Sequence, residues 1–444
     1  MRCARNERHR RPPAGRVSPW LLLPAGALLF GFVIGSLLVV SRARAADPIE
    51  RQAEEFVMLA LSLGRAPHAG EVDAYFGPPR LAEAARANVI GQDALRSRAQ
   101  VLLAGLQAGQ LQDPSPRRAR LATQVRSFAA LLETVEQPRA RSFDAEARAV
   151  YGLASEVSDA VRQRTIVRRL DGLLPGAQPL AQRVAAYQAR FVVPEARRRA
   201  VFERALAECR ARTLAHWTLP ADERLDVEWT RQVDAAWHRY EGGHRSRLQI
   251  NPAAVALPGE AIDVACHEGY PGHHAQFVLM DAAAGAQGLP VEDTVVLLRS
   301  PASVLREGAA NYGVDLAFPL DARIAFERDV LFPLAGLDPT EAARYVEVHH
   351  LVGELSLSTV AILRDYRDGR LPADDAAAQL EATALVTSPR ALLGFVDQFG
   401  AYAIGYTVAR DAVRDAVAAR GRDAGVEPWT ALRDLLVQPD VAAL

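Results

Sequence analysis

The sequence predicts a mainly α-helical protein with one small β-sheet. Its 444 residues are 50% hydrophobic and 24% charged, which is typical of a globular chain. Ala, Leu, Arg and Glu dominate its long segments, and these residues are among the better helix formers. The alternation of polar and apolar residues that marks a half-buried strand is confined to one short region. A large helical fold follows from these observations.

Long amphipathic runs predict individual helices, and clusters of helix-breaking residues separate the helical segments. The runs are Pro48–Leu63, 117–135, 145–170 and 195–217, and the breaks fall at 77–79, 114–116, 175–176 and 258–259. Polar and apolar residues alternate over Arg245–Ile250, which predicts a strand, and residues 225–230 are predicted to pair with it.

The N-terminal segment has the features of an export signal. Residues 2–16 are rich in Arg, residues 20–40 are apolar, and Ala43-Arg44-Ala45 is a small-x-small cleavage site. We predict that residues 1–45 are a signal peptide or a membrane anchor. Both place the body of the protein outside the cytoplasm, in the periplasm or tethered to the membrane. The body is either one helical unit over 46–444, or a helical subdomain over 46–218 followed by a region over 219–444.

The composition excludes several kinds of site. The sequence contains no Lys, so a Schiff-base lysine, a Walker-type lysine and a Ser-Lys dyad are absent. A glycine-rich phosphate loop and a G-x-S-x-G nucleophile elbow are also absent. The net charge of −1 provides no strong field for nucleic acid, and no nucleic-acid partner is expected.

The octet His267-Glu268-Gly269-Tyr270-Pro271-Gly272-His273-His274 contains three of the ten histidines of the chain. A zinc hydrolase uses imidazole ligands and an adjacent carboxylate, commonly as H-E-x-x-H on one helix. Here Pro271 replaces the second His, and residues six apart lie roughly 120° and about 9 Å apart on a regular helix. The Pro-Gly pair must break the helix, and such a break can rotate His273 back towards His267. The alternative is a chance cluster at a plain turn.

A third ligand has to come from another segment. Glu307 starts an apolar, helical stretch, and catalytic zinc often takes two His and one Glu. Glu307 is therefore either a buried ligand or a solvated acid in the first turn of a helix.

The octet resembles the His-Glu-x-Tyr-Pro-Gly-His signature of a bacterial family catalogued as domain of unknown function 885. That family is similar to the gluzincin metallopeptidases. Three further segments are similar to its sequences: Asp73 to Pro79, Glu307 to Tyr312 (with Ala309 in place of the usual Trp), and Tyr402 to Gly405. The resemblance extends over most of the chain after residue 47 and implies a helical metallopeptidase-like fold.

The resemblance also implies roles for individual residues. His267, His273 and Glu307 would bind zinc (Zn²⁺), and Glu268 would be the general base. Tyr402 would donate to the oxyanion, with Tyr406 as the next candidate and half-buried packing as the alternative for both. The substrate would be a peptide or a similar compound, because an edge strand beside the motif can pair with an extended chain. The alternative function is a catalytically silent, helical envelope binding protein.

The remaining histidines and the cysteines receive structural interpretations. His274 would support the site, face substrate or only pack. His238, His244, His349 and His350 are expected to be packed or surface residues. Cys209 and Cys266 either form a disulfide, which export permits, or remain buried thiols.

Overall fold

The computed structural model describes residues 48–437, except for 66–67, 113, 156–159 and 234. The predicted export segment, residues 1–45, lies outside the described residues. From Ile49 onward the chain forms one compact unit.

The described chain is mainly α-helical, as predicted. Up to residue 214 the elements are α1 (Pro48–Leu63), β1 (Val72–Tyr75), α2 (Pro79–Ala87), α3 (Gln92–Gln112), α4 (Pro116–Glu136), α5 (Phe143–Glu146) with a π-helical turn (Ala147–Tyr151), α6 (Ala160–Leu173), α7 (Leu180–Gln188) and α8 (Glu195–Leu214).

The second half contains most of the strands. Its elements begin with β2 (Arg224–Trp229), β3 (Ala236–Gly242), β4 (Arg245–Ile250), α9 (Pro258–Val264) with a π-helical turn (Ala265–Gly269), α10 (His273–Gln287), β5 (Val295–Leu297) and α11 (Pro301–Ala317). They continue with α12 (Leu320–Phe326) and a π-helical turn (Glu327–Leu331), α13 (Phe332–Ala335), α14 (Ala342–Glu354), α15 (Thr359–Arg367), α16 (Ala373–Ala384), α17 (Pro389–Phe399), a 3₁₀ segment (Gly400–Tyr406), α18 (Val408–Ala424) and α19 (Pro428–Val437).

Two small sheets lie among the helices. The predicted strand Arg245–Ile250 has the same bounds in the structure, and it pairs in parallel with β2, as expected for residues 225–230. β3, which the sequence did not predict, pairs antiparallel with the other side of β4. β1 and β5 form a separate antiparallel pair. β3 and β4 pack against α10, so the three-stranded sheet lies beside the helix that carries the histidine octet.

The predicted helices match the structure in part. Pro48–Leu63 has the predicted bounds, and α4 and α8 differ from the predicted runs only at their ends. The prediction of one helix over 145–170 is wrong. The first helical piece ends at Tyr151, since Gly152 takes a left-handed conformation (φ 71°), and α6 begins only at Ala160.

Hydrophobic clusters join distant segments of the chain. One cluster packs α1, α3 and α4 against α15, α17 and the 3₁₀ segment. A second packs α8 and β4 against α9, α11 and α18. Helix α11 contacts the π-helical turn after α9, the 3₁₀ segment and α18, so it lies at the centre of the molecule.

The helical run Pro339–Arg367 is long and apolar enough to cross a membrane, with a mean hydropathy of 1.2. In the structure it is divided into α14 and α15. Tyr345 and Val346 of this run pack in a third hydrophobic cluster, and Glu354 pairs with Arg410 at 2.9 Å. Part of this run therefore belongs to the protein core.

Candidate metal centre

The break between α9 and α10 brings two histidines of the octet together. The Gly272 amide donates to the carbonyl oxygen of Cys266 at 3.0 Å, and α10 then begins at His273. A Cβ at position 272 would lie 1.7 Å from the carbonyl oxygen of His267, so only glycine allows this path. As a result the rings of His267 and His273 are 4.7 Å apart between centroids.

Glu307 comes from the interior of α11 and not from its start. The hydroxyl of Ser300 accepts a hydrogen bond from the Ser303 amide at 3.1 Å, and Pro301 occupies the first turn. The expectation that Glu307 starts the helix is therefore wrong, and so is its reading as a solvated first-turn acid. Glu307 lies two turns into the helix and is 7% exposed.

The three predicted ligands converge on one point. Glu307 Oε2 lies 3.4 Å from Nε2 of His267 and 3.6 Å from Nε2 of His273. One ligand atom from each residue lies within 4.8 Å of the other two. Ligands of a tetrahedral zinc ion with bonds of about 2.0–2.1 Å are about 3.3 Å apart, so this spacing suits a metal ion.

The two oxygens of Glu307 have different environments. Oε1 accepts a hydrogen bond from the Tyr402 hydroxyl at 2.9 Å. Oε2 is buried and forms no well-aligned hydrogen bond with the described residues, and its nearest polar neighbours are the two imidazoles, at 3.4 and 3.6 Å. A buried, unsatisfied carboxylate oxygen is costly, and a cation between it and the imidazoles would satisfy it.

Asn311 orients His267, and the sequence analysis missed this residue. Its Oδ1 lies 3.1 Å from Nδ1 of His267, so a proton on Nδ1 leaves Nε2 free for a metal. Asn311 follows Glu307 by one turn of α11, which places both side chains on one face. The four-residue spacing between Glu307 and Asn311 is the sequence feature from which Asn311 could have been predicted as a site residue.

The charges of the cluster shift two pKa values in opposite directions. Burial alone would raise the pKa of Glu307, but His273 and His267 outweigh it and lower that pKa well below its usual range. Burial alone would lower the pKa of His273, but Glu307, Glu268 and Asp73 outweigh it and raise the pKa to about 9. Without a metal, the site is thus an imidazolium–carboxylate cluster.

Glu268 and Tyr406 lie near the cluster and are less buried than Glu307. Glu268 is half-buried, and its contribution to the pKa of His273 places its carboxylate near that ring. The Tyr406 ring is 6.2 Å from the His267 ring, and the residue is 39% exposed. Loss of hydration, followed by the charges of Glu307 and Glu268 and a hydrogen bond to Glu307, raises the pKa of Tyr406 well above 10. The phenol therefore keeps its proton as a donor.

Tyr402 lies behind Glu307. The residue is 3% exposed, and its hydroxyl contacts Ser303 Oγ at 3.2 Å in addition to Glu307. The hydroxyl thus donates to a proposed ligand, and the role of Tyr402 as an oxyanion donor stays a prediction.

His274 points away from the other two histidines of the octet. It is fully buried, with Nδ1 2.8 Å from Ser246 Oγ and Nε2 2.8 Å from Glu223 Oε2. Glu223 also accepts from the Tyr270 hydroxyl at 2.7 Å. His274 thus connects α10 to the three-stranded sheet.

The other histidines lie outside the three-ligand group. His349 contacts Asp263 at 2.7 Å and His244 contacts Asp222 at 3.0 Å. His238 stacks on Phe277, with its ring 5.9 Å from that of His273. His350 is half-buried on α14.

Asp73 joins the site from β1, which is far away in sequence. The residue is exposed to solvent, and its charge interacts with those of Arg306, His273 and Glu307. Loss of hydration raises the pKa of Asp73, while the nearby charges of Arg306 and His273 lower it. The sequence analysis noted the segment Asp73 to Pro79 only for its family resemblance, and no local pattern marks Asp73 as a site residue.

A disulfide joins Cys209 of α8 to Cys266, the residue before His267. The Cα atoms are 5.4 Å apart. Of the two alternatives left open by the sequence, the structure contains the disulfide.

No family model and no curated protein matches the chain. Several solved structures are similar to it at low identity, and three of them are described here. A protein described as a lipoprotein from Colwellia psychrerythraea is 15% identical, with 82% of this chain and 70% of that chain covered and a TM-score of 0.48. A lipoprotein of unknown function from Shewanella oneidensis is 13% identical (81% and 76% covered, TM-score 0.43). M32 carboxypeptidase from Deinococcus radiodurans R1 is 16% identical (87% and 88% covered, TM-score 0.39).

Proposed function

We propose that this protein is a zinc-dependent peptidase that acts outside the cytoplasm. The observation that carries the proposal is the convergence of two imidazoles and one carboxylate, with Glu307 Oε2 buried and without a hydrogen bond. Two His and one Glu form a common ligand set of catalytic zinc and leave a position for water. The export segment and the resemblance to domain of unknown function 885 agree with this function but rest on the sequence motifs alone.

The metal ion and two side chains would have different roles in the proposed hydrolysis. A bound zinc ion would lower the pKa of water towards about 7 and polarise the scissile carbonyl. Glu268 would accept the proton of the attacking water and transfer it to the leaving amine. Tyr406, which is more exposed than Tyr402 and keeps its phenol protonated, would donate to the developing oxyanion.

A groove next to Tyr406 offers space for substrate. It has a volume of about 670 Å³ and an apolar lining that includes Leu363, Leu392 and Phe395. Asp263 of α9, four residues before His267, also lines it. A volume of this size is typical of a ligand site. β3 provides a second contact surface, because it is an edge strand beside the turn that carries His267.

The function is tested with purified protein and a mixed peptide library. The wild type should contain zinc and hydrolyse peptides, whereas Glu268→Gln should retain zinc and lose hydrolysis. Glu83→Gln is the matched control, since Glu83 is an exposed acid of α2. Peptide binding without hydrolysis in the zinc-loaded wild type would instead support the silent binding protein, and wild-type turnover by Glu268→Gln would refute the assigned base.

A further inference from the structure

Arg306 is a buried cation that lacks a hydrogen-bonding partner. The residue is 4% exposed, its Nη2 is buried, and its guanidinium donates no hydrogen bond to any described residue. The ring of Phe277, 5.9 Å away, and the through-space charges of Asp73 and Glu307 offset part of the burial. A guanidinium has five donors, and leaving them unsatisfied in the protein interior is costly.

A cavity of about 300 Å³ lies against Arg306. Much of its wall is apolar: Phe56, Phe128, Met280, Val295 and Leu297. Ser300, Pro301 and Ala302 complete it, so the N-terminus of α11 also borders the cavity. Helix N-termini favour anions, and here the first residues of α11 and Arg306 line the same space.

The two acidic groups of the cavity lining already have hydrogen-bonding partners. Glu292 forms two hydrogen bonds with Arg117, at 2.8 and 2.7 Å, and Arg117 also contacts Glu50. Asp293 accepts from Gln124 Nε2 at 2.8 Å. The charged groups of the lining, Arg306 and Arg120 against Glu292 and Asp293, sum to zero, and Arg306 is the one whose buried Nη2 lacks a hydrogen-bonding partner among the described residues.

We propose that this cavity binds a carboxylate carried on a short apolar chain, with the carboxylate on Arg306 and the chain against the apolar wall. The planar fork of a guanidinium matches a carboxylate, and the small apolar space disfavours a more heavily charged group. A free acyl carboxylate and the C-terminus of a peptide share this chemistry. The site is formed by residues other than His267, His273 and Glu307, so it does not depend on the proposed peptidase activity.

The test is calorimetric titration of the protein as purified with hexanoate, 1-hexanol and acetyl-leucine. Hexanoate or acetyl-leucine should bind at least about tenfold more tightly than the neutral hexanol, since a charge-assisted pair contributes about 1.5–3 kcal/mol. The tighter of the two carboxylates identifies the source, a free acyl chain or a peptide C-terminus. Equal affinity for hexanol and both carboxylates would overturn the proposal.

Variants locate the binding. Arg306→Gln should remove the advantage of the carboxylate, and Ala119→Trp, at an exposed position of the cavity wall, should weaken binding of all three probes. Arg126→Gln, an exposed change on the same helix outside the lining, should bind as wild type. If Arg306→Gln does not fold, the binding measured with Ala119→Trp shows whether the probes occupy this cavity. Unchanged carboxylate binding in Ala119→Trp would place the ligand elsewhere, such as at the metal centre, and overturn the proposal.

Discussion

Glu307 links the proposed ligands to the groups behind them. Its Oε2 faces His267 and His273, while its Oε1 accepts from Tyr402. A carboxylate held in this way has one oxygen fixed in orientation and one available to a cation. Residues that hold a metal ligand usually affect metal affinity, whereas residues that face the substrate affect turnover.

Replacing each tyrosine of the 3₁₀ segment with Phe should therefore affect a different property, either zinc affinity or turnover. Tyr402→Phe removes the donor to Glu307 and should weaken zinc affinity by about 10–100-fold. Tyr406→Phe should retain zinc and lower kcat by about 10²–10³-fold, since it removes a donor to the oxyanion. Zinc competition assays and steady-state kinetics on both variants check this. The reverse pattern would return the oxyanion role to Tyr402.

The raised pKa of His273 predicts a pH-dependent zinc affinity. In the metal-free fold the pKa of His273 is about 9, above its ordinary value of 6.5. Protonation of the ring therefore stabilises the fold fully below pH 6.5, and this stabilisation is lost as the pH rises through 9. Zinc requires the neutral ring, so apparent zinc affinity should rise by about tenfold per pH unit up to about pH 9 and then level off. Titration against a chelator from pH 6 to 10 measures this, and a flat profile above pH 7 would contradict it.

Sequence reasoning could identify only part of the site. His267, Glu268 and His273 lie in one short motif, and Glu307 lies in a second. Asn311 could have been found from its spacing to Glu307. Asp73 could not, because only the three-dimensional fold brings β1 to the histidines.

At the scale of elements, the break between α9 and α10 makes the site. Residues six apart converge here because the chain leaves the helix after Gly269 and re-enters it at His273. The geometry depends on the close approach of Gly272 to the His267 carbonyl.

Gly272→Ala should therefore destroy metal binding. A Cβ 1.7 Å from a carbonyl oxygen forces the backbone to move, which separates His273 from His267. Gly285→Ala is the control in α10, where a Cβ would meet nothing within 4 Å and should stabilise the helix by about 0.5–1 kcal/mol. Zinc content and thermal melting of both variants measure these effects. Normal zinc content in Gly272→Ala would show that the break is not required.

The elements that sequence patterns predicted correctly are those with strong local signals. Arg245–Ile250 alternates in polarity, and Pro48–Leu63 has a continuous apolar face. The break at Gly152 was missed because the amphipathic pattern continues on both sides of it. The start of α11 was missed although Ser300 and Pro301 form an ordinary helix start. β3 was missed, since its place in the sheet depends on pairing with β4.

At the scale of the whole molecule, the metal-site helix is fixed to the body by covalent and ionic contacts. Cys266 is bonded to Cys209 of α8. On the other side, Arg323 pairs with Asp263 at 2.8 Å and with Glu327 at 2.9 Å, and it also donates to the Gly259 carbonyl at 2.9 Å. Such contacts hold His267 in place before any metal binds.

The disulfide should contribute to stability. It closes a segment with a sequence separation of 57, for which chain entropy predicts about 4 kcal/mol in the unfolding free energy. The Cys209→Ala/Cys266→Ala variant should lose about 2–4 kcal/mol in denaturant unfolding. Wild type treated with a reductant serves as the comparison and should lose a similar amount. No change in either sample would show that the bridge does not form.

The central claim is that His267, His273 and Glu307 bind zinc. The zinc content of two matched variants tests it most directly. Wild type and His274→Gln should each contain one zinc ion per chain, because both nitrogens of His274 are engaged by Ser246 and Glu223. His273→Gln should contain none, because the metal loses one of three protein ligands. Full zinc content in His273→Gln, together with loss of zinc in His274→Gln, would contradict the metal centre described here.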